Sequence, residues 1–543
     1  MEEQEVKGTY KIIQPLMLSA CIAIGMMIGY KMNDKPENAL ISTMDYPVDS
    51  LMMTGRVEEL IRFIENKYVD KVDSEKLIAA ALKGVFEELD PHSIYLSPDE
   101  TESVNDQMDG EYDGIGIENF IIDDTVRVSA VLKNSPAEKA GIRVFDKIIS
   151  IDGNPVTGKD TKYTDVRNLL KQKPGTKVKI LFMRGPAQVT LDVTVGEVEV
   201  KTVSAQYLKD IQTVLVKIDR FGDNTYREFM DVVELYFSKN NAKHIILDLR
   251  DNPGGFLPEA TNILCQIFEE KERLLLYTEG RSNKKNEYKS TGKRFFPIDQ
   301  VVVLIDENSA SASEIIAGAI QDWDRGLVIG RRSFGKGLVQ EQYKLNNGGA
   351  VRLTVARYFT PSGRSIQRDY VDRDEYDDDF HSRYQNGDLF HKDSTLIKNG
   401  GKYTTLLLKR TVEGSGGITP DLFVAMDSVY KNGNYLEAFA FLHEFSFRYA
   451  AKYHTSIPTD IKAFDSWILP DKGINELNAF IKANVETELI VGKDLWPYFK
   501  LEIKKQIRNI LFKKENATDF TNDKFVSEAI KAIKNKKGAA DFK

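Results

Sequence analysis

Five apolar residues in a row, Val301-Val302-Val303-Leu304-Ile305, constrain what this chain can fold into more than any other feature. A half-buried strand alternates apolar and polar residues. An unbroken, β-branched-rich run belongs to a strand covered on both faces. Two covered faces call for helices on each side of a sheet, the α/β arrangement. The neighbouring sequence supplies them: strand patterns at 214–219, 242–249 and 301–306 alternate with helical patterns at 226–239, 258–269 and 313–322.

Outside that segment the pattern changes. Residues 57–67 and 74–89 read as two amphipathic helices, with Ser74 as N-cap and Pro91 blocking continuation of the second. Residues 108–196 carry short, glycine-bearing strands at 114–120, 126–131 and 177–184, with helical pieces at 136–140 and 165–171. Their size and order suit a small β-rich binding module. Residues 430–543 show helical patterns without strands, among them amphipathic stretches at 435–449 and 501–512 that suit packing on the core or a homodimer contact. The expected fold is therefore multidomain α/β: an anchor and tether (1–50), a helical N-terminal part (51–107), the β-rich module (108–196), an α/β core (197–421) and a helical C-terminal region (422–543).

The N-terminus speaks to location. Residues 12–30 contain no charge and are flanked by Lys11 and Lys31. As a helix this segment spans about 28 Å, enough for a bilayer core. A cleaved signal peptide is one alternative. A lipoprotein signal at Leu18-Ser19-Ala20-Cys21 is another, although the apolar run continues past Cys21 where a polar tether should begin. An uncleaved transmembrane helix, with the large C-terminal part on the exported (periplasmic or extracytoplasmic) side, is the expectation. Net charge is −8 with acids and bases spread along the chain, which gives no sign of nucleic-acid binding. The acidic run 369–379 reads as a solvated loop. Two cysteines, Cys21 and Cys265, are too few for a disulfide framework.

Chemistry enters directly after the buried strand, at Ser309-Ala310-Ser311-Ala312-Ser313-Glu314. A serine at a strand-to-helix turn has its hydroxyl lifted out of the sheet. The unpaired N–H groups of the first helical turn are free to stabilise an oxyanion. Yet a serine beside a helix start more often caps the helix, and Ser309 or Ser313 fits that role. Further on, residues 330–336 fit the G-x-x-x-x-G-K half of a phosphate loop, but Gly337 stands where Ser or Thr should hold magnesium. A phosphate loop must also open a helix, whereas residues 338–345 alternate like a strand. The nucleotide reading fails. There is no H-E-x-x-H, and the six histidines are scattered, so neither a metal nor a cofactor is expected.

Several blocks then coincide in one order: Leu89-Asp90-Pro91-His92-Ser93, Gly114-Ile115-Gly116-Ile117, Leu247-Asp248-Leu249-Arg250-Asp251-Asn252-Pro253-Gly254-Gly255, the serine block, Phe334-Gly335-Lys336-Gly337, and Ala356-Arg357-Tyr358-Phe359-Thr360-Pro361. Over residues 57–421 the chain resembles the C-terminal processing (tail-specific) peptidases, PDZ-containing serine proteases with a Ser/Lys dyad. That resemblance implies Ser311 as nucleophile, Lys336 as its base and Gln340 as the residue supporting the lysine. It also implies oxyanion donors from Ala312 and from Gly254 or Gly255, and capture of a substrate's terminal carboxylate by Gly114-Ile115-Gly116-Ile117. Residues 336 and 340 project to one side of a strand, so a Lys–Gln contact is geometrically reasonable. A lysine accepts a proton only when neutral. The apolar Phe334, Leu338 and Val339 would favour that form, and Arg331 and Arg332, if near, would add to it. His92, at a helix end, reads as structural. The expected partners are proteins or peptides with accessible C-termini, and the membrane through the N-terminal helix. The competing class is a catalytically silent PDZ scaffold, which loss of Ser311, Lys336 or Gln340 would have signalled; all three are present.

Overall fold

A computed structural model describes residues 51–159, 161–282, 284–392, 401–485, 489–512 and 523–542. The uncharged segment 12–30 and its tether lie outside the described residues. Among the described residues no helix is long and apolar enough to cross a membrane. The chain forms two compact units, the smaller built from residues up to Leu89 with 93–97 and 342–353. It contains helices Leu51–Lys67 and Ser74–Glu87, and Ile94–Leu96 pairs antiparallel with residues 350–352. The cap of the second helix is Asp73 rather than Ser74. The helix starts one residue earlier than the pattern suggests, so the Asp73 carboxylate receives the Lys76 N–H while Ser74 is already helical.

The β-rich module lies in the larger unit. Ile117–Ile122, Thr125–Val131, Lys147–Ile151, Lys177–Arg184 and Ala187–Thr194 form an antiparallel sheet, each strand pairing with the next. Val126, Val128, Ile148, Ile180, Phe182 and Val193 fill its core. Glu111–Gly114 pairs antiparallel with Gly196–Glu199, so the module leaves and rejoins the chain at one place, as an inserted domain does.

The central sheet has the order Val203–Leu208, Thr213–Ile218, His244–Asp248, Val301–Ile305, Leu327–Gly330, Leu422–Phe423. Its first pair is antiparallel and the others are parallel. The apolar run is buried on both faces, as its composition requires. Val301, Val303 and Ile305 join the core under helices Thr225–Val233, Leu257–Ile267 and Ala312–Asp322, while Val302 and Leu304 meet Val526, Ala529 and Ile533 of helix Lys524–Lys534.

That last contact alters the picture of the C-terminal region. Among the described residues, 430–543 holds helices and no strand, but the region drawn from 422 is tied to the central sheet at both its ends. Leu422–Phe423 is an edge strand of the central sheet, and Lys524–Lys534 returns to cover its second face. Between them, helices from Gly433–Phe439 to Trp496–Phe512 build a separate core around Tyr435, Phe445, Phe464, Leu477 and Phe499. The acidic run 369–379 is likewise more than a solvated loop. It folds into helix Arg373–Asp377 with Tyr376 buried, and Asp379 opens the next helix, Asp379–Gln385. Asp379 pairs with Arg368 and, at 2.8 Å, with Arg383. Both guanidinium groups are nearly sealed from water, and a buried cation needs a counter-charge.

Candidate active site

Ser311 ends the loop after Val301–Ile305 and immediately precedes helix Ala312–Asp322. Its backbone has φ 53° and ψ −112°, a region that costs a non-glycine residue about 1–3 kcal/mol. Two fully or almost fully buried side chains hold it there. One oxygen of the Glu314 carboxylate, Oε2, accepts the N–H of Ser311 (2.8 Å) and the N–H of Lys336 (2.9 Å). The other, Oε1, accepts the Ser333 hydroxyl (2.5 Å) and the Gly335 N–H (2.7 Å). The Tyr358 hydroxyl lies within hydrogen-bonding distance of the Ser311 carbonyl (3.1 Å) and the Lys336 carbonyl (2.8 Å). Residues 25 positions apart in sequence are thus fastened to each other through both ends of their peptide units. Burial raises the Glu314 carboxyl to about 7 against the pull of its hydrogen bonds, and burial also keeps the Tyr358 phenol protonated.

The neighbouring serines do not cap the helix. Ser309 Oγ donates to the Leu249 carbonyl (2.8 Å), and Ser313 Oγ donates to the Asn252 carbonyl (3.0 Å). Both stitch the serine turn to the loop that follows His244–Asp248.

Lys336 Nζ donates to Gln340 Oε1 (2.9 Å), the same-side contact expected of these positions, and Gln340 Nε2 donates in turn to the His92 carbonyl (2.6 Å). The His92 ring is occupied elsewhere, with Nε2 2.6 Å from the Tyr376 hydroxyl. Burial, with the charge of Lys336 adding to it, lowers His92 to about 4, which suits a positioning role rather than a base. Arg331 and Arg332 do not act on the lysine as bare charges. Glu307 pairs bidentately with Arg331 (2.6 and 3.0 Å), and Asp388 pairs with Arg332.

The Pro253-Gly254-Gly255 loop lies directly against the serine. A side chain at Gly254 would meet the Ala310 carbonyl and Ser311 Cβ at 2.8 Å, and one at Gly255 would run into the Phe221 carbonyl at 2.2 Å. Both glycines also have positive φ, 99° and 143°. The Gly254 N–H is directed at Asn252 Oδ1 (2.8 Å). Of the three expected oxyanion donors, Gly255 and Ala312 retain an N–H with no hydrogen-bond partner among the described residues.

Gly114, Ile115, Gly116 and Ile117 border a cavity of about 370 Å³ in the β-rich module. Its other walls come from helix Tyr163–Leu170 and helix Pro98–Asp109. Of the three cations on this groove, Arg167 and Lys171 pair with Asp106 at 3.1 and 2.7 Å, and Arg220 donates to the Gln107 carbonyl (3.3 Å). Ile115 is itself buried, and its carbonyl and that of Gly116 accept from Ala137 and Leu132, which fixes the loop's shape.

Known proteins and families resemble this chain over much of its length. Residues 212–376 match the model for peptidase family S41, residues 127–184 that for a PDZ domain, and residues 19–101 that for the activating protease CtpB N-terminal domain. The carboxy-terminal processing protease CtpB of Bacillus subtilis (strain 168) is 31% identical over 350 residues, covering 62% of this chain and 70% of that protein. The chain belongs to peptidase family S41. A probable CtpA-like serine protease of Staphylococcus haemolyticus is 34% identical over 313 residues, 57% of this chain and 62% of that protein, so the chain spans somewhat less than two thirds of this relative's length. Among solved structures, a photosystem II D1 C-terminal processing protease aligns at 27% identity over 57% of this chain and 88% of that one, with a TM-score of 0.33.

Three further residues at this site, Glu314, Asn252 and Tyr358, are given no role by the reading of motifs. Glu314 was visible as an acid three residues after Ser311, the spacing of a capping box. Asn252 and Tyr358 gave no such signal. Asn252 accepts from Gly254, donates to the Ile218 carbonyl (2.8 Å) and receives Ala310 N–H and Ser313 Oγ on its own carbonyl.

Proposed function

We propose that this chain is a serine endopeptidase that binds protein C-terminal tails through its PDZ domain and cleaves by a Ser311–Lys336 dyad. The observation that carries the reading is the pinning of these two residues by the shared oxygen of Glu314 and the shared hydroxyl of Tyr358. The neutral Lys336 amine takes the proton of Ser311 Oγ as that oxygen attacks the scissile carbonyl. The oxyanion is received by the N–H groups of Gly255 and Ala312. The lysine returns the proton to the leaving amine, and water then releases the acyl group by the same route. Gln340, held by the His92 carbonyl, keeps the amine directed. Catalysis here depends on preorganised donors and a fixed nucleophile–base distance, both of which act only if the backbone does not shift.

In the tail-binding step, the substrate's last residues add along Ile117–Ile122 with the carboxylate at the Gly114–Ile117 loop. We further propose that residues 12–30 hold the enzyme in a membrane with its catalytic part exported.

The test uses peptides that differ only at the C-terminus, incubated with wild type, Ser311→Ala and Lys336→Arg. Wild type should cleave, both variants should fall to background, and amidated peptides should bind more weakly than acids. Arginine keeps the positive charge and the length but cannot become a neutral base. Cleavage by Lys336→Arg at more than a few per cent of the wild-type rate would remove the lysine from its role.

A further inference from the structure

A second cavity, of about 560 Å³, lies between the PDZ domain and helix Leu442–Tyr453 of the C-terminal helical part. Its lining carries six lysines and arginines against two carboxylates, in a chain whose net charge is −8. The two carboxylates are already used: Asp123 pairs with Arg448 (2.8 Å) and Asp146 with Arg184 (2.7 Å). Lys452 pairs outward with Glu476 (3.0 Å). That leaves Arg127, Arg143 and Lys147, which form no ion pair among the described residues.

Three features of this wall work against the stability of the free protein. Arg127 and Lys147 are directly opposite each other on adjacent antiparallel strands, and like charges in that register repel. The Nε of Arg127 is sealed from solvent without a hydrogen-bond partner. Phe145, on the loop between them, has φ 74°, a left-handed conformation that bulky residues rarely adopt. It is held there by packing on Phe447 and His454, at ring distances of 5.4 and 6.1 Å. Unpaired charge, an orphaned donor and backbone strain at one place are the marks of a site shaped for a ligand rather than for stability.

We propose that this cavity binds a small, soluble, multiply charged phosphate anion, with Arg127, Arg143 and Lys147 as its ligands. A single carboxylate would compensate only one of the three cations, whereas a di- or triphosphate-type anion compensates all of them and supplies acceptors for the guanidinium forks. Because Arg448 and Lys452 on the C-terminal helix share the cavity, such an anion would also fasten the PDZ domain to the helical part.

The test is thermal melting of the full chain with sodium pyrophosphate, against sodium chloride at equal ionic strength. Its readout is independent of peptidase activity. Wild type should show a saturable rise in Tm with pyrophosphate alone, as binding to the folded state requires. In Arg127→Gln/Lys147→Gln the rise should disappear, while the unliganded protein melts no lower than wild type because the repulsion is gone. Arg143→Gln, at an exposed position, should keep the fold and weaken the apparent affinity at least fivefold. Equal responses to chloride and pyrophosphate, or an unchanged response in the variants, would overturn the assignment. So would binding to phosphatidylglycerol vesicles without any response to soluble pyrophosphate, since the site would then be reading a lipid headgroup.

Discussion

Replacing Glu314 by Gln tests whether the proposed nucleophile, Ser311, and its proposed base, Lys336, are held by one carboxylate. The amide keeps the shape but turns one oxygen into a donor. Whichever way it lies, two donors are left facing an NH2: either Ser311 N–H and Lys336 N–H, or Ser333 Oγ–H and Gly335 N–H. Two hydrogen bonds to a charged acceptor are lost, roughly 1.5–3 kcal/mol each. Against this, the wild-type carboxyl sits at about 7 in the folded protein instead of near 4.5, so above neutral pH its burial as an anion costs about 3 kcal/mol that the amide does not incur. The two effects offset one another in stability, so the net change is only about 0–3 kcal/mol. They do not offset one another in catalysis. The distance between Ser311 and Lys336 depends on those contacts, and a misplacement of about 1 Å is enough for a ~100-fold loss.

The expected result is therefore a variant that melts within several degrees of wild type, with kcat/KM at least ~100-fold lower and the loss mainly in kcat. A sign check is available from pH. Because the folded-state pKa is raised, wild type loses stability as pH climbs from about 4.5 to about 7 and then levels off, while the amide has no such dependence. The stability gap between wild type and variant should shrink across that window. A folded Glu314→Gln enzyme within threefold of wild-type kcat would refute the positioning argument.

Gly254→Ala should cost about 1–3 kcal/mol from its positive φ, and ~100-fold or more in kcat/KM, because the new methyl enters the space of Ser311 Cβ and the Ala310 carbonyl; melting and peptide cleavage measure the two. His92→Gln should keep cleavage activity and become less sensitive to acid. The depressed histidine makes wild type lose stability as pH falls from about 6.5 to about 4, a slope that urea melts at several pH values should find absent in the variant. Val526→Asp, at a position 1% exposed on the second face of the central sheet, should destabilise by roughly 3 kcal/mol or more and lower soluble yield. Unchanged melting of that variant would mean that Lys524–Lys534 does not hold the sheet.

Much of this was legible because the informative residues are local. The run at Val301–Ile305 reports two-sided burial by composition alone, and strand and helix periods fixed the elements around it. Lys336 and Gln340 could be assigned to one side because they are four apart next to a strand. What remained hidden depends on contacts distant in sequence. Tyr358 reads as one more apolar residue of strand Ala350–Phe359, and its hydroxyl gains meaning only where it meets Ser311 and Lys336. What covers the sheet's second face stayed open for the same reason. Helix Lys524–Lys534 lies more than 200 residues after the strand it protects, and an amphipathic period states that a face is buried without stating against what. The acidic run was misread because its partners, Arg368 and Arg383, look solvated until their burial is known.

The path of the last helix also explains how a strained serine can persist. Its cap, Asp523, pairs with Arg250 (2.8 Å), and the Phe525 ring lies beneath the guanidinium groups of Arg250 and Arg331 at 4.7 and 5.0 Å. Arg250 begins the loop that ends in Gly254-Gly255, and Arg331 begins the loop that ends in Lys336. One helix start therefore braces the roots of both loops that flank Ser311, while Glu314 and Tyr358 brace Ser311 itself and the tip of the Lys336 loop. A left-handed serine costing about 1–3 kcal/mol is stable only if relaxing it would break several such contacts together. A more relaxed turn would lose the Glu314 hydrogen bond to Ser311, and with it the link to Lys336. The strain and the Ser311–Lys336 spacing that the proposed dyad needs are thus maintained by the same set of bonds, so a sequence change that relieves one should lose the other.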